Sequence, residues 1–458
     1  MAGGATGFRE LAEWIRSPGC YLRALGVNAL ELQPVQEFDA VRAGDYHWGY
    51  MPVNWFAPAS AYARDAGAGS QIADFQDLVA ACHEAGLAVI VDVVYNHVGA
   101  PNHLERLDRA YFFEQAPDGG LSNWSGCGND VRARAPLVRR LVVESLRHWV
   151  ECFDVDGFRF DLAELLGVPL LREVERVLRP VKPGLILIAE PWSFRGHLGG
   201  ALAGMGFVSW NDGFREFFPA YVHGAAGSDG LRYFLGGSPG SAPLLQALNY
   251  TESHDDRCWL DRITENAGND GTVPTPNDAR RTRLMGAALF ASLGVPMLAA
   301  GQDFLRSKAG LNNTYLRGDV NALDYARLEK FHDTHVYFRD WIAFRLSDMG
   351  AALRRHERTA EGFFRFFQCA HSNALGAWYN ADGALAVASL FFAINPHSHP
   401  VALSVPGVDG GGFRQIANGD VFCAGGLAAA DSFAWHAGIL TLPALSAGLW
   451  IAELRPGS

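Results

Sequence analysis

The stretch Asp156-Gly-Phe-Arg-Phe-Asp-Leu-Ala163 decides how the rest of the chain is read. Side chains alternate along a strand, so Phe158 and Phe160 face one way while Arg159 and Asp161 face the other. The neighbouring guanidinium favours an ionised carboxylate, which equips Asp161 to act as a nucleophile. Leu185-Ile-Leu-Ile-Ala-Glu190 is a second apolar run ending in a carboxylate. It comes 29 residues later, close to the roughly 30 of one strand-helix-strand unit. Leu244 to Asp255 (LLQALNYTESHD) ends in His254-Asp255 a further 65 residues along, about two such units. The spacing predicts three carboxylates at the same ends of three parallel strands, where (β/α)8 barrels carry their sites. Two carboxyl groups across a small gap, one ionised and one protonated, are the equipment for hydrolysing a glycosidic bond.

Four segments occur in fixed order: Asp92-Val-Val-Tyr-Asn-His97, Gly157-Phe-Arg-Phe-Asp161, Ala189-Glu190-Pro-Trp and Ser253-His254-Asp255. They resemble the four signature regions of the α-amylase superfamily, glycoside hydrolase family 13. Three more stretches are similar to its isoamylase, glycogen debranching and pullulanase branch: Tyr46-His-Trp-Gly-Tyr50, Cys127-Gly-Asn-Asp130, and Lys308 to Tyr315. The resemblance covers nearly the whole chain. It implies a TIM (β/α)8-type barrel followed by a C-terminal all-β sandwich, and retaining hydrolysis of α-1,6 branch linkages in glycogen or starch.

Within that resemblance Asp161 is the nucleophile. Glu190 protonates the leaving oxygen and later activates water, and Asp255 holds sugar hydroxyls. Tyr50 stacks on the sugar through its ring rather than its hydroxyl, while His97 and His254 hydrogen-bond it. Asp92 sits inside an apolar strand and needs a partner, for which Arg159 on the next strand is placed. Met51 stands where pullulanases carry aspartate and is closer to isoamylases. The chemistry needs no cofactor; calcium occurs among relatives, but no ligand set stands out here. The alternatives are an α-1,4-acting amylase or transglycosylase with the same triad, and a non-catalytic glucan-binding subunit. The latter would normally have lost triad residues, and all three are present.

The net charge of −11 and the absence of any basic run argue against nucleic acid as a partner. Aromatic residues at 12%, with 12 Trp, suit a sugar-binding protein, because flat rings pack on pyranose faces. Seven scattered cysteines without CxxC spacing favour a reduced, intracellular protein. Neither a signal peptide nor a membrane span is legible, so a cytoplasmic location is expected.

At 458 residues the chain divides into a catalytic barrel over 1–355 and a β-sandwich over 356–458. Helices are expected over 8–24, broken at Ser17-Pro-Gly19, over 70–85 with Ser70 as N-cap, and over 136–153. A long loop is expected over 98–135. Parallel strands are expected at 27–33, 87–95, 155–160, 185–190, 206–210, 244–252 and 295–300. That is seven where a closed barrel has eight. The missing one is the first, and the Gly-rich residues 1–7 do not supply it. The expectation is an N-terminally truncated barrel with an open seam flanked by 27–33 and 295–300.

Overall fold

The structure is a computed structural model that describes residues 7–39, 46–238, 246–268, 270–355 and 359–453. Asp45 and the first residues of the strand expected at 244–252 lie outside the described residues, and the boundary expected between 355 and 356 falls beside the undescribed 356–358. Two compact units emerge: Met1–Trp210 with Tyr315–Gly318, and Asn211–Thr314 with Asp319–Ser458.

The first unit opens with α1 (Phe8–Arg16) and α2 (Tyr21–Leu25), separated at the expected turn. β1 (Ala29–Leu32), the hairpin strands β2 (Gln36–Phe38) and β3 (Pro52–Pro58), and α3 (Gln71–Glu84) follow. Next come β4 (Ala88–Val93), α4 (His103–Phe112), α5 (Pro136–Phe153) and β5 (Gly157–Phe160). α6 (Ala163–Leu178), β6 (Ile186–Ala189) and β7 (Phe207–Asn211) complete the series. The strands pair in parallel in the order β1-β4-β5-β6-β7.

Register sorts the side chains. Val89, Val91, Phe158, Phe160, Leu187 and Ala189 share one core with Phe75 and Leu78 of α3, Trp149 of α5 and Val174 of α6. The opposite face carries Glu31 beside Ile90, then Asp92 beside Arg159, then Ile188. Gly157 is required where β5 meets β6, since a Cβ there would lie 2.6 Å from the Ile186 carbonyl oxygen.

Three local features depart from the sequence pattern. Ser70 occupies the N-cap of α3 but caps nothing with its side chain; its hydroxyl instead donates to Asp74 at 2.6 Å. Ile72, at helical spacing with the buried Phe75 and Leu78, is 51% exposed. Tertiary packing selects the buried face, here where Phe8 of α1 meets Phe75 with ring centroids 5.0 Å apart. The loop expected over 98–135 contains α4, whose N-cap Asn102 accepts from the Glu105 N–H.

The second unit holds α7 (Asp212–Val222), α8 (Ser228–Leu235), β8 (Ala247–Asn249), α9 (Trp259–Ile263), α10 (Pro276–Ala291) and β9 (Val295–Pro296). β8 and β9 pair in parallel. A capping box between Thr275 and Asp278 starts α10. Beyond the helix His332–Leu346 the described residues form a two-sheet sandwich, one sheet of five strands and one of three, closed around Phe391, Leu403 and Trp450.

The fold is therefore a (β/α)-barrel type followed by a β-sandwich, with seven parallel barrel strands among the described residues. Among those residues β1 pairs with β4 alone and β9 with β8 alone. No helix of the described residues is long and apolar enough to cross a membrane.

Candidate active site

The carboxyl ends of β4, β5 and β6 converge on one buried guanidinium. Arg159 Nη1 donates to both oxygens of Asp92 at 2.9 Å and to Asp161 Oδ1 at 3.0 Å. Its Nη2 lies 2.9 Å from Glu190 Oε2, an ion pair not aligned as a hydrogen bond. The arginine side chain is completely buried, and the indole of Trp210 packs against it at 4.5 Å. Burial alone would lower the Arg159 pKa, but the surrounding carboxylates outweigh it and hold the group cationic, well above its ordinary value. Burial pushes Asp92 up, to about 6, against the opposing pull of Arg159 and the Tyr50 hydroxyl.

Asp161 and Glu190 are further fixed by backbone and amide groups. Asn96 Nδ2 donates to Asp161 Oδ2 at 2.8 Å and to the Asp161 carbonyl at the same distance. Leu162 turns into the left-handed region (φ 40°), and its N–H donates to Glu190 Oε2 at 2.7 Å. A side chain rarely tolerates that conformation, so the turn between β5 and α6 holds strain where it orients the second carboxylate. Asn96 and Trp210 escape a reading for charged groups. The visible signals were the position of Asn96 between Tyr95 and His97 and the tryptophan ending an apolar run.

Tyr50 makes a contact that the expectation did not include. Its hydroxyl donates to Asp92 Oδ2 at 2.5 Å, so the ring is not its only contribution. Tyr50→Phe is expected to lower the free energy of unfolding by about 1.5 to 3 kcal/mol, the range for a hydrogen bond to a charged group. Urea denaturation measures it, and an unchanged midpoint would show the hydroxyl to be idle. Both ring nitrogens of His97 face protein acceptors, the Asn96 amide oxygen at 2.5 Å and the Tyr50 carbonyl at 2.6 Å. Burial lowers its pKa, and a neutral ring donates to only one of the two.

His254 and Asp255 belong to the second unit. His254 Nε2 lies 3.3 Å from Asp255 Oδ2. The buried Lys308 ammonium donates to the carbonyls of His254 (3.1 Å) and Asp256 (2.9 Å), fixing the backbone that presents Asp255. The structure thus brings together Tyr50, Asp92, His97, Arg159, Asp161 and Glu190 in the first unit, and His254 with Asp255 in the second.

No family model matches the chain. Sequence similarity reaches the pullulanase of Bacillus subtilis, 32% identical over 379 residues, covering 73% of this chain and 51% of that protein. It also reaches the isoamylase of Flavobacterium sp., 30% identical over 457 residues, covering 82% of this chain and 57% of that protein. The structure superimposes on the pullulanase of Bacillus acidopullulyticus with a TM-score of 0.87 at 25% identity, covering 98% of this chain and 59% of that one. The chain belongs to the isoamylase and pullulanase branch of the α-amylase superfamily. It spans about half the length of the curated relatives it matches.

One group in this α-amylase-superfamily site was missed altogether. Glu31 stands on the same strand face as Asp92, and burial pushes its carboxyl up to about 7, with Asp92 adding to the rise and Arg159 opposing it. In the unfolded chain it returns to about 4.5, so between those values the folded state binds the extra proton. Stability then falls as pH rises from 4.5 to 7, to an extent limited by the solvent that reaches this half-buried carboxyl. Glu31→Gln is expected to flatten that fall. Urea unfolding of both proteins at pH 5 and pH 8 reads it, and equal pH dependence in the two would contradict it.

Proposed function

We propose that this chain carries the catalytic apparatus of a retaining glycoside hydrolase that cleaves α-1,6 branch linkages of glycogen- or starch-type glucans. The observation that carries the reading is the buried Arg159, which grips Asp161 and Glu190 with one guanidinium while Asp92 anchors it from the strand before. Asp161 attacks the anomeric carbon and forms a covalent glycosyl-enzyme. Glu190 gives its proton to the departing oxygen, then takes one from the water that releases the sugar. Asp255 holds hydroxyls of the distorted ring, His97 and His254 contact the same sugar, and the Tyr50 ring packs on its face. The reaction asks for no cofactor, and the partner is a branched α-glucan.

Iodine-stained amylopectin incubated with the wild-type chain beside Asp161→Asn tests the reading, together with the products formed from amylose. Release of linear chains from amylopectin by the wild type alone is the expected result. Dextrins from unbranched amylose would point to α-1,4 cleavage, and equal inactivity of both proteins would favour a glucan-binding subunit.

A further inference from the structure

Two large aromatic side chains stand in solvent beside this site on backbone that is anything but loose. Phe194, four residues after Glu190, is 77% exposed, and Trp124 is 48% exposed. The Phe194 N–H donates to the Trp124 carbonyl at 3.2 Å, which ties their loops together. The Phe194 ring rests over Gly126, where a Cβ would lie 2.9 Å from it, so this glycine makes its seat.

Both loops are fixed from behind. Asp130, buried, accepts from the N–H groups of Trp124 (2.6 Å) and Ser125 (2.8 Å) and from the Ser122 hydroxyl (2.6 Å). On the other side Glu164 accepts from the Ser193 hydroxyl at 2.5 Å and from Arg195 Nε at 3.1 Å. Continuity with the site is direct: Trp210, stacked on Arg159, meets Trp192 at 6.2 Å, and Trp192 lies between Glu190 and Phe194 in sequence. On the Trp124 loop, burial pushes the Cys127 thiol up to about 11, and the nearby Asp161 carboxylate adds to the rise. A single exposed aromatic needs no explanation. Two of them, locked by backbone bonds at the rim of a buried carboxylate pair, contribute little to the core and present preorganised apolar faces to solvent.

We propose that Trp124 and Phe194 form an aromatic subsite that stacks on glucose units of an α-glucan beyond those at the carboxylates. It lies on the side of the departing chain, because Phe194 sits on the loop of the residue that protonates the leaving oxygen. The apolar face of a pyranose matches a flat ring, and rings held in advance lose little freedom on binding. The inference rests on reading Asp161 and Glu190 as glycosidase carboxylates. It makes this enzyme prefer branches carried on a long main chain over short branched oligosaccharides.

The test compares kcat/KM on amylopectin with kcat/KM on a short branched maltooligosaccharide, for wild type, Phe194→Ala, Trp124→Ala, the double variant and Phe194→Tyr. The expected result is a fall of about tenfold in the polymer-to-oligosaccharide ratio for the double variant, about 1.4 kcal/mol, with Phe194→Tyr close to wild type. An unchanged ratio, or equal loss on both substrates, overturns the subsite. If the wild type hydrolyses neither substrate, the hydrolase reading fails, and calorimetric titration with maltohexaose then decides the subsite alone. Binding weakened about tenfold by the double substitution supports it, whereas absent or unaffected binding overturns it.

Discussion

Asp161→Asn is expected to abolish glucan hydrolysis while leaving the chain folded, and Glu190→Gln to lower it by about 10² to 10⁴-fold. The amide removes the attacking charge but keeps the shape of the carboxylate. Arg159 remains paired with Asp92 and Glu190, so no buried cation is stranded. At Glu190 the glutamine still accepts the Leu162 N–H but has no proton to give. Urea midpoints close to wild type, beside rates on amylopectin reduced at least a hundredfold, are the anticipated pair of readings. Residual activity above about a hundredth in either variant would remove the role assigned to that residue. Retention of configuration in the released sugar, read by NMR, separates this chemistry from inversion.

The sequence pattern reached the ends of the strands and stopped at what crosses between them. Strand ends and carboxylate positions follow from apolar runs and their spacing, and β4, β5 and β6 fall inside the ranges expected for them. The partnership of Asp92 with Arg159 was legible because neighbouring parallel strands align them, and the register Asp92↔Arg159 makes it so. Glu31 was not legible, since a glutamate in a short run of leucine and alanine gives no local sign that its face of the sheet is lined by charge. Neither was the Tyr50 hydroxyl, whose acceptor lies 42 residues away and is reached only when the hairpin β2-β3 positions the aromatic loop. α4 was hidden within a segment whose glycines and asparagines mark the turns after it, not the helix itself. Local pattern specifies elements; the polar contacts that make a site depend on which elements become neighbours.

Arg159→Met is expected to destabilise the first unit by about 3 to 5 kcal/mol, because it leaves buried carboxylates without their cation. Asp92 is almost fully buried, and its other fixed partner is the Tyr50 hydroxyl. Methionine fills much of the space against Trp210 but gives nothing to Asp92, Asp161 or Glu190. The loss has a pH signature that packing damage lacks. Burial already raises Asp92 to about 6, and removing the guanidinium that opposes this rise moves it higher. A carboxyl raised above its unfolded value stabilises the folded state in acid and loses that contribution as pH climbs through the folded value. The gap between wild type and Arg159→Met should therefore be widest at pH 8 and narrow toward pH 4.5. Urea titrations of both proteins at the two pH values read it directly. A gap of the same size at both would mean that the arginine acts as a packing group, and the charge-centred account of this site would fail with it.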